Sequence, residues 1–108
     1  MKKVLTIAGS DSSGGAGVQA DLKTFCAHKL YGMSVICAVT AQNTCGVTDV
    51  HNIPAVTVAN QLDAVFTDIF PDAVKIGMVS VPENIRVIAD KLTQYQAENI
   101  VLDPVMIS

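Results

Sequence analysis

Four short aliphatic runs, separated by stretches of helical periodicity, restrict the folding of this chain more than any other feature. Residues 4–8, 33–40, 73–77 and 99–102 are mostly apolar without strict alternation. That is the pattern of strands covered on both faces. Between the first and second runs, Val18, Leu22, Phe25, Cys26 and Leu30 share one helical face. Between the second and third, Val58, Leu62, Val65, Phe66 and Ile69 do the same, with Thr57 as the expected N-cap and Pro71 as the stop. Between the third and fourth, Ser80-Val81-Pro82-Glu83 has capping-box spacing. Ile85, Ile88, Ala89, Leu92 and Tyr95 then supply an apolar face. Strands alternating with helices predict an α/β fold: a parallel, doubly wound sheet with right-handed crossovers and flanking helices.

Residues 41–52 are polar and read as a flap, with room for a short edge strand over 47–53. Residues 99–106 read as a buried strand with no following helix to cover it. The expectation is therefore one domain, truncated after its fourth main strand, with residues 1–108 as its front part. The alternative is a complete four-stranded domain.

Hydrophobic residues are 50% of the 108 and charged residues 16%, against roughly 25% charged in ordinary soluble domains. A disordered chain is thereby excluded. Seven basic residues against ten acidic give a net charge of -3, which argues against nucleic acid as a partner. No apolar run approaches the ~20 residues of a membrane span, and the run after Met1-Lys2-Lys3 is too short for a signal peptide. The expected location is the cytoplasm. Cys26, Cys37 and Cys45 are odd in number and lack CxxC spacing, so Cys26 and Cys37 are read as reduced core residues. His28 and His51 belong to no cluster of metal-ligand spacing, and no metal site is expected.

Open parallel sheets bind ligands at the carboxyl ends of their strands. That rule selects Gly9, Ser10 and Asp11, then Thr40 to Asn43, Gly77 and Met78, and Asp103 to Val105. Gly14, Gly15 and Gly17 stand between a strand and a helix, but in the register of neither a dinucleotide fingerprint nor a Walker loop. They serve either a tight turn or the close approach of a planar ligand. Asp21 either complements a helix dipole or accepts from a ligand N–H or hydroxyl. The amide of Gln42 matches an aminopyrimidine edge, where a ring nitrogen accepts and the adjacent amino group donates. Met78 and Val105 either sandwich a flat ring or pack a core. Asp103 faces a phosphate-bound Mg²⁺ or ends its strand. Asp68 and Asp72 are expected to be solvated.

At these residues the sequence resembles a family. The stretch from Leu5 through Ala8-Gly9-Ser10-Asp11-Ser12-Ser13-Gly14-Gly15-Ala16-Gly17 and Gln19-Ala20-Asp21-Leu22-Lys23 to Phe25 is similar to the opening of the hydroxymethylpyrimidine/phosphomethylpyrimidine kinases of thiamine biosynthesis. Tyr31-Gly32, Ala41-Gln42-Asn43-Thr44, Lys75-Ile76-Gly77-Met78 and Val101-Leu102-Asp103-Pro104-Val105-Met106 resemble its later segments. The resemblance implies a ribokinase-like fold. It implies ATP- and Mg²⁺-dependent phosphorylation of 4-amino-5-hydroxymethyl-2-methylpyrimidine and then of its monophosphate. By motif match, Gly9, Asp21, Gln42, Met78 and Val105 would form the pyrimidine pocket, with Asp103 toward the Mg²⁺–phosphate region. A flap over residues 42–53 would lie near a homodimer interface. Family members are more than twice as long, and their later part carries a Gly-Thr-Gly-Cys-like loop with the activating residue. No catalytic residue is therefore expected within these residues, which alone should be inactive, with the nucleotide-binding half outside them. A pyridoxine/pyridoxal kinase is the sister reading, and a non-catalytic pyrimidine-binding module another. A receiver- or flavodoxin-type domain fits less well, because Asp11 and Asp103 make a poor acidic cluster.

Overall fold

The computed structural model describes residues 1–103. Its elements are β1 (Lys3–Asp11), α1 (Gly17–Ala27), β2 (Tyr31–Asn43), β3 (Gly46–Asn52), α2 (Ala55–Phe66), β4 (Ala73–Ile76), α3 (Pro82–Gln94) and β5 (Ile100–Leu102). One sheet holds all five strands in the order β3-β2-β1-β4-β5. β1 pairs in parallel with β2 and β4, and β4 in parallel with β5. β3 alone among these strands runs antiparallel, against β2. The four expected strands are thus the four parallel ones.

β1 is central, and Val4 to Ala8 are all buried, which is why that run shows no alternation. Leu5 and Ile7 join Val35, Cys37 and Val74 in a core with Val58, Leu62 and Phe66 of α2 and Ile88 and Leu92 of α3. The opposite face carries α1. There a Cβ at Gly32 would lie 2.9 Å from the Leu22 side chain, so α1 sits almost on the β2 backbone. From β1 the chain moves first to β2 and later returns to β4 on β1's other side. That reversal opens a crevice beyond the carboxyl ends of β1 and β4, because the crossovers leave on opposite faces.

Local details differ from the sequence expectations. β2 runs to Asn43, well past residue 40, because it continues as a ribbon paired with β3. The turn is closed by Gly46 at φ 142° and by Cys45 N donating to Asn43 Oδ1 at 2.8 Å. Cys26 is exposed, whereas Cys37 is buried. Thr57 lies inside α2: the helix starts after Pro54, whose carbonyl accepts from the N–H groups of Thr57 and Val58. Ser80 does not cap α3. Val81 occupies the N-cap position without a side-chain bond, and Pro82 begins the helix. Ile85 and Ala89 do not face the core. They line an apolar groove of about 520 Å³ with Ile100 and Leu102 of β5, whose residues are all exposed. Asp72 is not simply solvated: its carboxylate accepts from Lys3 N at 2.8 Å. No helix among the described residues is long and apolar enough to cross a membrane.

Candidate functional site

The crevice at the strand reversal is a cleft of about 440 Å³. Gly9 lies two residues before the end of β1, Asp21 projects from α1, Gln42 lies near the end of β2, and Met78 and Asp103 follow β4 and β5. All five line this cleft. Val105 lies outside the described residues.

The loop from β1 to α1 is organised by Asp11. Its carboxylate accepts from Ser13 N and Ser13 Oγ at 2.8 and 2.7 Å, from Ala16 N at 2.9 Å and from Gly15 N at 3.1 Å. The Ser13 hydroxyl above all, with these N–H groups, holds the Asp11 carboxyl below its ordinary value against the opposing effect of burial. The loop is therefore an anion cradle already filled by an internal carboxylate, which substitutes for the side chain that Ala16 lacks as N-cap of α1. A ligand phosphate has no place there. Gly17 is required by packing: at φ 61°, a Cβ would come 2.3 Å from Gly9 O. Gly9 is different. It has no positive φ, and a Cβ there would make ordinary contact with Ala38. The fold tolerates a side chain at Gly9, and its absence leaves open room in the cleft.

Asp21 lies past the first turn of α1, so the helix dipole does not account for it. It reaches back to the sheet, where Thr6 and Lys75 are register partners on β1 and β4. Thr6 Oγ1 donates to Asp21 Oδ2 at 2.7 Å, and Lys75 Nζ donates to Asp21 Oδ1. Lys75 also contacts Asp103 Oδ2 at 3.1 Å. Burial opposes the Lys75 charge, but hydrogen bonds to Asp21 and Asp103 outweigh it and hold the ammonium above its ordinary value. Sequence reasoning missed Lys75, although it opens the Lys75-Ile76-Gly77-Met78 segment. A lysine within a short aliphatic run was itself a signal, because such a strand has no solvent-facing side.

Mg²⁺ is commonly held by one or two carboxylates together with phosphate oxygens and water. The Asp103 side chain, 61% exposed, suits one such ligand once its contact with Lys75 is exchanged. The described residues contain no group of three or more His, Cys, Asp or Glu side chains able to hold a metal.

Gln42 is pinned through its backbone. Ser12 Oγ donates to Gln42 O at 2.6 Å and accepts from Gln42 N at 2.7 Å. This clamp bridges a register shift of the β2–β3 ladder between Ala41 and Gln42. The Gln42 side chain meets Thr40 Oγ1 at 3.1 Å. Met78, 48% exposed, contributes apolar surface with Val47 and Val50 of β3. The cleft therefore offers the amides of Gln42 and Asn52, one lysine–carboxylate cluster and a floor of small residues around Gly9, which suits a flat polar heterocycle.

The sequence profile of a family described as phosphomethylpyrimidine kinase matches residues 11–108. The hydroxymethylpyrimidine/phosphomethylpyrimidine kinase of Rhizobium meliloti (strain 1021) is 59% identical over 104 residues, covering 96% of this chain and 39% of that protein. The crystal structure of a phosphomethylpyrimidine kinase from Clostridium difficile 630 superposes with a TM-score of 0.96 at 59% identity, covering 100% of this chain and 47% of that one. An ADP complex of Bacillus subtilis pyridoxal kinase superposes at 0.89 with 42% identity, covering 99% of this chain and 41% of that one. The likeness to both kinases identifies the ribokinase-like fold. The chain spans about two-fifths of the length of the curated relative.

Proposed function

The chain belongs to the phosphomethylpyrimidine kinase family, and from that premise we propose that it is the substrate-binding front part of a small-molecule kinase. The proposed enzyme transfers phosphate from ATP to the hydroxymethyl group of 4-amino-5-hydroxymethyl-2-methylpyrimidine, and then to the monophosphate so formed. The observation that carries this reading is the meeting of Gly9, Asp21, Gln42, Met78 and Asp103 in one cleft at the strand reversal. Gln42 pairs with the amino and ring-nitrogen edge of the substrate. Asp21, held by Lys75 and Thr6, accepts from a further N–H or O–H donor. The ring lies over Gly9, with Met78 on it and Val105 assigned to its other face. Asp103 lies toward the phosphates, where its carboxylate would help hold Mg²⁺ and the ion would supply neutralisation of phosphate charge.

None of the residues of this chain is assigned the activation of the hydroxyl. That group and the nucleotide contacts belong to the remaining part of the domain, and the filled Asp11 cradle supports placing them there. β3, with Val47 and Val50 exposed, is the surface on which we place a second copy in a homodimer. The three unpaired cysteines suit a cytoplasmic protein.

A coupled ADP-release assay tests the assignment. The complete protein turns over the aminopyrimidine with ATP, and the 108-residue chain alone does not; turnover by the chain alone would place the catalytic group within it. The likeness to pyridoxal kinases makes pyridoxal the second substrate to test. A pyridoxal ring lacks the aminopyrimidine edge, so Gln42→Leu raises KM for the aminopyrimidine far more than for pyridoxal. Equal effects on both substrates remove Gln42 as the reader.

A further inference from the structure

Thr40 has one hydroxyl proton and stands between two acceptors. Its Oγ1 lies 2.8 Å from the Ser10 carbonyl and 3.1 Å from Gln42 Oε1. A hydroxyl has one donor and two lone pairs, so it serves one of these acceptors fully. The shorter contact takes the proton. It also ties β2 to β1 just past the register shift between Ala8 and Ser10. Two oxygens 3.1 Å apart without a proton between them repel.

A half-turn of the terminal amide removes the conflict. It exchanges Oε1 for Nε2 at nearly the same place, and an N–H then donates to Thr40 Oγ1. Every proton is used once: Thr40 O–H to Ser10 O, and Gln42 Nε2–H to Thr40 Oγ1. The backbone of Gln42 does not follow, because Ser12 Oγ bonds both its N–H and its carbonyl. The amide is thus the part free to turn, and the Thr40 hydroxyl decides which end faces the cleft.

We propose that Thr40 is a positioning residue that fixes the Gln42 amide with Oε1 and the second Nε2–H toward the cleft, so that the site selects a heterocycle edge reading donor, then acceptor. This rests on Gln42 being the edge reader described above. An amino group beside a ring nitrogen has the selected pattern. An oxo group beside a ring N–H has the reverse, which an amide free to turn would accept equally well.

The test uses the complete kinase, titrated calorimetrically without nucleotide against 5-hydroxymethyl-2-methylpyrimidine in its 4-amino and 4-oxo forms. The unaltered protein prefers the amino form by roughly 100-fold or more, as sites with committed hydrogen-bonding groups do. Thr40→Val, which removes the hydroxyl at constant shape, lowers that preference to about 10-fold or less. Thr40→Ser, which keeps the proton, restores it. A folding defect weakens both ligands together and leaves the ratio intact, so an unchanged ratio in Thr40→Val overturns the proposal. A second measurement needs no ligand: in the unaltered protein, NOEs from the Gln42 Nε2 protons to the Thr40 γ-methyl support the assigned orientation. Their absence, with NOEs to cleft residues alone, overturns it. If neither pyrimidine binds, the functional reading falls, and the NOE result decides the orientation independently.

Discussion

Replacing Gln61 with leucine tests how the open edge of β2 is kept satisfied beneath α2. β3 covers that edge from Ala38 onward, and Ile53 N donates to Cys37 O just before the chain leaves. At Ile36 the Gln61 amide takes over. Its Oε1 accepts from Ile36 N at 2.8 Å, and its Nε2 donates to Ile36 O at 2.9 Å. These are the two bonds a residue on a neighbouring strand would exchange. Leucine leaves both groups facing an apolar side chain. An unsatisfied buried donor or acceptor costs about 1–3 kcal/mol. Ile36 is half-buried, so water recovers part of the loss. The expected net change is about 2 kcal/mol, or roughly 30-fold in the local opening constant. Native-state hydrogen exchange at the Ile36 amide reads this directly, with the Leu5 amide as an internal reference. Gln61→Glu keeps an acceptor for Ile36 N but sets a carboxylate against Ile36 O. It should therefore lose protection at neutral pH and regain it below roughly pH 4, where a protonated glutamate donates again. If Gln61→Leu leaves Ile36 exchange within about 3-fold of the original, the edge is satisfied by water and the argument fails.

Gly17→Ala should prevent correct folding, because its Cβ meets Gly9 O at 2.3 Å, whereas Gly9→Ala should fold and bind the aminopyrimidine less tightly; circular dichroism and calorimetry separate the two. Tyr95 Oη donates to Asp63 at 2.6 Å, and this bond, with Lys91, holds the Asp63 carboxyl below its ordinary value of 3.8. A depressed carboxyl contributes stability above its unfolded value and loses it as pH falls through the folded one. Tyr95→Phe should therefore shift acid unfolding, at pH below about 4, to higher pH, and an unchanged acid midpoint would show the bond to be idle. Burial pushes the Cys37 thiol up to about 11. A thiol reagent at neutral pH should label exposed Cys26 and Cys45 promptly and Cys37 after unfolding; rapid labelling of Cys37 in the native protein would contradict its burial.

The parts legible in the sequence are those whose cause is local or periodic. Val4 to Ala8 form a strand buried on both faces, and the repeat of Val58, Leu62 and Phe66 packs one helix onto the sheet. The rule that ligands meet strand ends needs no more than element order, and it selects Gly9, Gln42, Met78 and Asp103, with Asp21 brought to the same rim by the helix that follows the first strand. Caps were read less well. Ser80 and Thr57 have the right chemistry, but the N-caps fall one residue after Ser80, at Val81, and three residues before Thr57, at Pro54. Cys26 was misplaced because five residues share a helical face on paper, while α1 presents Val18 and Phe25 as its buried pair.

The partners of distant polar groups are not written in the sequence, even where a lysine in an aliphatic run signals that one is needed. Asp11 gathers N–H groups up to five residues ahead, and Lys75 finds Asp21 across 54 positions of chain. Gln61 mends an edge that exists because β3 has turned away. Hydrophobic periodicity is written residue by residue, because burial of one face is a property of each side chain. A hydrogen bond needs two groups within about 3 Å, and only the folded chain sets that distance. The sequence by itself therefore determined which strands and helices form and which rim they crowd. The tertiary structure decided which carboxylate is occupied, which is held by lysine, and which amide remains to meet a ligand.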